Sequence, residues 1–131
     1  MFVDFVRYRR RHPELAIDGE ASYAAFVVEP KSCVVSRIDL GSANAIDEAA
    51  NSFGIALAAG RNGASSVETH GRRVRSLVWD PIEAAVDHSG RVVLATDSAL
   101  SFVPFGALPA KAVCFHLQGS LGVRSRQARG Y

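Results

Sequence analysis

The clearest repeating pattern in the chain is an apolar stripe that follows Gly41 and Ser42. Its positions recur at i, i+3, i+4, i+7 and i+11, and they are Ile46, Ala49, Ala50, Phe53 and Leu57. This spacing places all of them on one face of an α-helix. Asn44 can cap the start, and Asp47 and Glu48 suit the positive end of the helix dipole. The pattern predicts a helix from about Ala43 or Asn44 to Ala59.

Two β-type patterns precede this helix. Tyr23 to Glu29 is a near-continuous apolar run, Pro30-Lys31-Ser32 has the composition of a turn, and Cys33 to Leu40 alternates. We expect an antiparallel hairpin whose second strand is half exposed. At the start of that strand, the thiol of Cys33 is expected to be buried and inert. The polar residues from Ala16 to Ser22 are expected to form a loop.

A polar stretch and a return of helical spacing follow the predicted helix. Gly60 to Gly71, which contains His70, is predicted to be a loop. Helical spacing resumes from Arg72 up to the dipeptide Asp80-Pro81. Asp80 is expected to cap a further helix, with Pro81 at its first position. One kinked helix and two short ones both fit this pattern.

The densest apolar residues of the chain come after that helix. The run from Arg91 to Ala95 is typical of a strand buried in the middle of a sheet. Asp97 and Ser98 predict a turn. A second strand is expected from Leu100 to Leu108, and Pro104 places it at an edge or interrupts it.

The first residues combine apolar and basic positions. Phe2, Phe5 and Val6 have helical spacing, and Pro13 stops the pattern. Residues 1–15 are therefore predicted to be the end of an upstream helix and a linker. Its basic residues are expected to be a solvated, dipole-compensating helix end rather than a phosphate site, and they are Arg7, Arg9, Arg10 and Arg11. Strands interleaved with helices predict an α/β fold with a mixed sheet and flanking helices.

Composition narrows the classes of partner. The chain has 131 residues, 48% of them hydrophobic, which suits one domain with one core. A formal net charge of +2 gives no reason to expect nucleic acid or an anionic membrane as partner. No apolar run approaches the ~20 residues of a membrane span, and the charged start is unlike a signal peptide. We expect a soluble, cytoplasmic protein.

Residues capable of chemistry give no recognisable motif. A cysteine nucleophile needs a nearby histidine, and the sequence offers Cys114 with His116, or with His70 or His88. Cys114 and His116 would share a face on a strand, but no nucleophile motif surrounds them. The prediction is therefore no catalytic residue, no metal ligand and no cofactor site. His12, His70 and His88 are expected to be solvated. Of the carboxylates in the segments considered below, Asp39, Asp80 and Asp97, the last two are expected to cap a helix and to form a turn.

Several segments together resemble a known family. They are Val78-Trp79-Asp80-Pro81, Val93-Leu94, Asp97, Leu100 and the run Val103-Pro104-Phe105-Gly106-Ala107-Leu108-Pro109. Earlier segments fit the same picture, and they are Val3 to Arg9, Tyr23 to Val28, Asp39 to Ala43 and Ile46-Asp47. From about Phe2 to Pro109, the chain resembles the N-terminal half of a CHAT domain, a caspase-like cysteine peptidase module often fused to tetratricopeptide repeats. Ser98 stands where the family commonly has glycine, so a turn with positive φ there would be slightly strained.

The resemblance implies a partial caspase-like fold without its chemistry. The family's catalytic His and Cys belong to the C-terminal half of the domain, so this chain is expected to be inactive alone. Residues 16–110 correspond to the family's N-terminal half, and residues 111–131 depart from it and are expected to be disordered. A shifted reading frame or an incomplete gene would produce such a tail. The implied partners are proteins: the missing half, repeat domains or a protein substrate.

Two other functions stay open. The first is a stand-alone pseudo-peptidase module that pairs its sheet edge with another chain. The second is a small hydrolase that uses Cys114 and His116, for which Cys114 would be alkylated faster than an ordinary thiol.

Overall fold

The computed structural model describes residues 1–15, 17–86 and 90–110, except for the side chains of His12, Ile17, Asp18 and Arg61. The predicted tail at residues 111–131 lies outside this range. The strands and helices, in chain order, are β1 Phe2–His12, β2 Ile17–Val28, β3 Val35–Ser42, α1 Ala43–Ala58, α2 Ala64–Val74, α3 Asp80–Glu83 and β4 Val93–Ala95.

One mixed sheet organises these elements. The strand order is β3-β2-β1-β4, with β1–β2 and β2–β3 antiparallel and β1–β4 parallel. The chain is therefore α/β with a mixed sheet, as the sequence predicts. The predicted hairpin is also confirmed, as β2 and β3, and its second strand is mostly exposed.

The core lies between one face of the sheet and the helices. Val3 and Phe5 of β1 and Tyr23 of β2 are fully buried and meet the stripe of α1. Within that stripe Ile46, Ala49, Ala50 and Phe53 are buried, and Leu57 packs at the margin. The ring of Phe105 stacks on Phe5 with 5.5 Å between ring centroids, which brings the end of the described chain onto the same core. The predicted helix is confirmed with bounds Ala43–Ala58, but neither Ser42 nor Asn44 caps it through its side chain.

The predicted helix at the start of the chain is wrong. Residues Phe2–His12 form β1, a strand paired on both sides. Its apolar residues lie on both faces of the strand, Phe2 and Val6 on one and Val3 and Phe5 on the other, so their helical spacing does not mark one buried face, and pairing with β2 and β4 makes the segment a strand. The loop predicted for Ala16 to Ser22 is likewise wrong, because β2 begins at Ile17 to complete the same ladder.

The helical region begins earlier than predicted. A 3₁₀ turn at Gly60–Gly63 leads directly into α2, so the segment predicted as a polar loop is mainly helical. A π-helical turn at Arg75–Trp79 then joins α2 to α3. Asp80 therefore lies inside a continuous helical path, and the prediction that its side chain caps a helix is wrong. Of the two arrangements that the sequence left open, the structure has a continuous helical path, in which the π turn precedes the proline.

The last elements differ most from expectation. β4 is an edge strand of three residues rather than a central strand. The strand predicted from Leu100 to Leu108 is wrong: the segment forms two 3₁₀ turns at Ser98–Phe102 and Phe105–Ala107. These turns bury Leu100 and Phe105 in the core while Pro104 separates them. Ser98 has φ of 54°, so the turn does place a residue other than glycine in the left-handed region, the case for which slight strain was expected.

Candidate functional site

The described candidates for chemistry are not assembled into a site. Cys33 lies exposed in the β2–β3 turn with φ of 56°, so the prediction of a buried strand thiol is wrong. Turn geometry places it there, since Cys33 N–H bonds the carbonyl of Glu29. His70 lies half-buried on α2, and no group of metal-binding side chains occurs in residues 1–15, 17–86 and 90–110. His88, Cys114, His116 and the side chain of His12 lie outside the described residues.

Asp97 ties the turn after β4 to the middle of β1. Its carboxylate accepts hydrogen bonds from the backbone N–H of Arg7 at 3.1 Å and from the hydroxyl of Ser98 at 3.2 Å. The bond from the Arg7 backbone is the main reason that the pKa of Asp97 falls below its usual value. The predicted turn role of Asp97 agrees with this geometry.

A polar cluster that the sequence analysis missed joins β1, β2 and α1. The hydroxyl of Tyr23 donates to Asp47 at 2.7 Å, and the guanidinium of Arg7 contacts the other carboxylate oxygen at 3.2 Å. Burial, and then the hydrogen bond to Asp47, raise the pKa of Tyr23 to about 12. Tyr23 therefore stays protonated at neutral pH and acts as a hydrogen-bond donor, so the cluster positions α1 on the sheet and supplies no base.

A second missed cluster surrounds Arg75 in the π turn. Arg75 is buried, and its guanidinium lies 3.1 Å from Asp80 and 3.1 Å from Glu83. It also donates to the carbonyl of Pro109 at 3.3 Å. The π turn brings Asp80 and Glu83 close to Arg75. The spacing of a regular α-helix would not predict these two contacts. The cluster holds the segment after Phe105 against the helices.

The face of the sheet opposite the helices carries a different surface. Register places Val35 of β3 opposite Val28 of β2, Val28 opposite Phe2 of β1, and Phe2 opposite Val93 of β4. These four residues, which we call the open apolar row, cross all four strands on one face. Phe2, Val93 and Val35 are 40%, 45% and 57% exposed. In the described part of the chain, no helix packs on this row.

Polar residues continue the open face beyond the row. Tyr8, Arg37 and Asp39 form an exposed cluster in which Asp39 accepts from the Tyr8 hydroxyl at 3.0 Å and from Arg37 at 2.9 Å. The guanidinium carbon of Arg37 lies 5.2 Å from the centre of the Tyr8 ring. Asp39 raises the pKa of Arg37, so this guanidinium stays charged. Asp39 is thus a surface ion-pair partner.

The chemistry available to the open face is binding. An apolar row bordered by charged side chains fits a partner segment with an apolar face and a polar margin. β4 adds a free edge, because it pairs only with β1 among the described strands. The sequence resemblance included the segments that form β1 and β4. The pattern of apolar residues, however, did not predict that these two strands would contribute to one exposed apolar row.

Comparisons with known proteins leave this surface without a counterpart. No family model, no curated protein and no solved structure matches the chain. In the described part of the structure, no helix combines the length and the apolar character that crossing a membrane requires. The candidate site therefore rests on the geometry of the sheet: an apolar row on its uncovered face, next to an unpaired edge.

Proposed function

We propose that the chain is the N-terminal half of a CHAT-like, caspase-fold domain and acts as its non-catalytic scaffold. In this role the sheet binds a second polypeptide segment that carries the catalytic His and Cys. The chain supplies strands and one layer of helices, and the partner supplies the chemistry. We also propose a cytoplasmic location, since the exposed thiol of Cys33 suits a reducing compartment.

The open apolar row carries the proposal. A sheet buried on one face only normally presents polar side chains to water on the other. Here the open face presents an aligned row of four apolar side chains, of which Phe2 and Val93 are exposed next to the edge of β4. Covering such side chains would stabilise a complex by on the order of 1 kcal/mol each. A partner that packs a helix or strand across this row is therefore expected.

The first test is to sequence the coding DNA downstream of the codon for Pro109 and translate all three forward frames. We expect one frame to continue the strand pattern and to reach a His and then a Cys among small residues. If no frame encodes such a segment, the half-peptidase proposal is wrong.

The second test examines the binding surface. The polypeptide encoded by that frame would be produced separately and mixed with the chain, and binding would be followed by calorimetry and thiol-dependent peptide cleavage. We expect a one-to-one complex that Val93→Asp abolishes, because the substitution places a charge in the open apolar row. Leu15→Asp is the matched control: Leu15 is an exposed apolar residue in the β1–β2 turn, away from the row. Equal binding by both variants would exclude this face as the docking site.

The unpaired edge of β4 favours a second candidate function. A stand-alone interaction module would pair this edge with a strand of another protein and would need no catalytic half. Hydrodynamic measurements separate the two functions. A scaffold without its partner would associate further through the open apolar row as concentration rises, and Val93→Asp should suppress that association, whereas an independent module would show no association that depends on this row.

A further inference from the structure

A second apolar surface lies on the other side of the molecule, between α1 and the 3₁₀ turn at Ser98–Phe102. It is a groove of about 310 Å³, roughly ten times the volume that one water occupies in the liquid. Its lining is mostly apolar or small, and the residues are Ala50, Asn51, Gly54, Ile55, Ala58, Ala99 and Phe102. This surface is separate from the open apolar row and from every ion pair described above.

Two bulky side chains project beside this groove instead of packing in the core. Phe102 is 86% exposed and Ile55 is 64% exposed, which makes Phe102 the most exposed of the large apolar residues described. The sequence pattern had placed Phe102 in an edge or interrupted strand. An aromatic ring left in water next to an apolar groove is typical of a residue that is buried by association.

Gly54 at the floor of the groove has no explanation within the fold. Glycine destabilises a helix interior relative to alanine, yet a Cβ at Gly54 would meet nothing within 4 Å. Gly71 on α2 provides a contrast, because a Cβ there would come within 2.7 Å of Pro109 and 2.9 Å of Phe53. Internal packing requires glycine at position 71. At position 54, the space is open toward the outside of the molecule.

The distribution of charge along α1 indicates which partner fits the groove. Residues 49–60 contain no charged residue, although a helix face in contact with water ordinarily carries several. A surface that meets its own copy must be neutral or self-complementary, because like charges would otherwise face each other across the two-fold axis. The uncharged stretch of α1 therefore lets two copies meet without like charges facing each other.

We propose that the groove is a self-association surface, in which α1 of two copies of this chain cross antiparallel with Gly54 close to the two-fold axis. Phe102 and Ile55 of each copy then enter the groove of the other. The projecting side chains of Phe102 and Ile55 lie beside the groove on the same molecule. A single two-fold rotation therefore brings the projecting side chains of each copy to the groove of the other. This interface leaves the open apolar row and the β4 edge free for the partner segment proposed above.

Sedimentation equilibrium of the full chain over a concentration series tests the proposal. We expect a species of twice 14.0 kDa. Gly54→Leu fills the groove floor without an internal clash, and Phe102→Ser removes the projecting ring. Each is expected to weaken self-association at least about tenfold. Gly54→Ala keeps the floor small and should remain dimeric, as should Leu15→Ser, which removes a comparably exposed apolar side chain elsewhere.

Circular dichroism and thermal unfolding establish that each variant is folded. Phe102→Ser alters an exposed turn residue, so it decides the question even if Gly54→Leu fails to fold. As an independent check, Gly54→Cys in a chain with Cys33→Ser and Cys114→Ser should form a disulfide-linked dimer on oxidation, and Leu15→Cys in the same background should not. A chain that stays monomeric up to its solubility limit, or a dimer unaffected by Phe102→Ser, would overturn the proposal.

Discussion

The two faces of the sheet carry the same kinds of residues in opposite circumstances. Each face has a Tyr–Asp–Arg cluster: Tyr23, Asp47 and Arg7 under α1, and one made of Tyr8, Asp39 and Arg37 on the open face. The first cluster joins three elements beneath a helix, whereas the second is solvated. The comparison teaches that burial, rather than residue type, decides how much such a cluster contributes to stability.

The largest expected difference between the faces concerns two phenylalanines of β1. Phe5 is fully buried against the helices, and Phe2 is partly exposed on the other face. Phe5→Ala should lower the free energy of unfolding by about 3–5 kcal/mol, and Phe2→Ala by less than about 1 kcal/mol. Urea denaturation followed by the fluorescence of Trp79 measures both values. Similar losses for the two variants would mean that the open face is covered.

The next largest difference concerns the two aspartates. Asp47→Ala leaves the hydroxyl of Tyr23 without its carboxylate acceptor and should cost about 1–3 kcal/mol of unfolding free energy. Asp39→Ala removes only solvated contacts, so no measurable change is expected. Urea denaturation of both variants checks the contrast. A larger loss for Asp39→Ala would reverse our interpretation of the two clusters.

The buried cluster around Tyr23 should also make stability depend on alkaline pH. The pKa of Tyr23 rises from the ordinary value of 10.0 to about 12 on folding, so the folded state holds this proton more tightly than the unfolded state. Its contribution to stability is full below pH 10 and is lost as pH rises towards about 12. Unfolding midpoints from pH 9 to 12 should therefore fall more steeply for the native chain than for Tyr23→Phe. Parallel curves for the two proteins would contradict the buried position of this hydroxyl.

The smallest effect is expected on the open face. Tyr8→Phe removes one exposed hydrogen bond to Asp39 and keeps the ring beside Arg37, so the melting temperature should not change measurably. Melting curves at low and high salt provide the measurement. A clear loss of stability at low salt would show that the exposed cluster contributes to the fold.

Local pattern predicted some elements well and others poorly. The stripe of α1 predicted both a helix and its buried face, because one helix turn places those residues together without help from distant elements. β1 was predicted as a helix because Phe2, Phe5 and Val6 have helical spacing, but pairing with strands on both sides makes this segment a strand with apolar residues on both faces. The clusters around Asp47 and Arg75 escaped prediction for a related reason: they join residues from separate elements or through a π turn.

The sequence by itself determined that the chain is α/β and that a hairpin precedes a strongly amphipathic helix. Tertiary structure alone decided that β1 lies inside the sheet, that β4 lies at its edge, and that Phe102 faces water. It also brought Arg7 to Asp97, 90 residues away. Hydrophobic periodicity records how neighbours along the chain share a face, but it carries no information on which distant element covers that face. Contacts between distant segments settle which apolar residues are buried and which remain exposed for a partner.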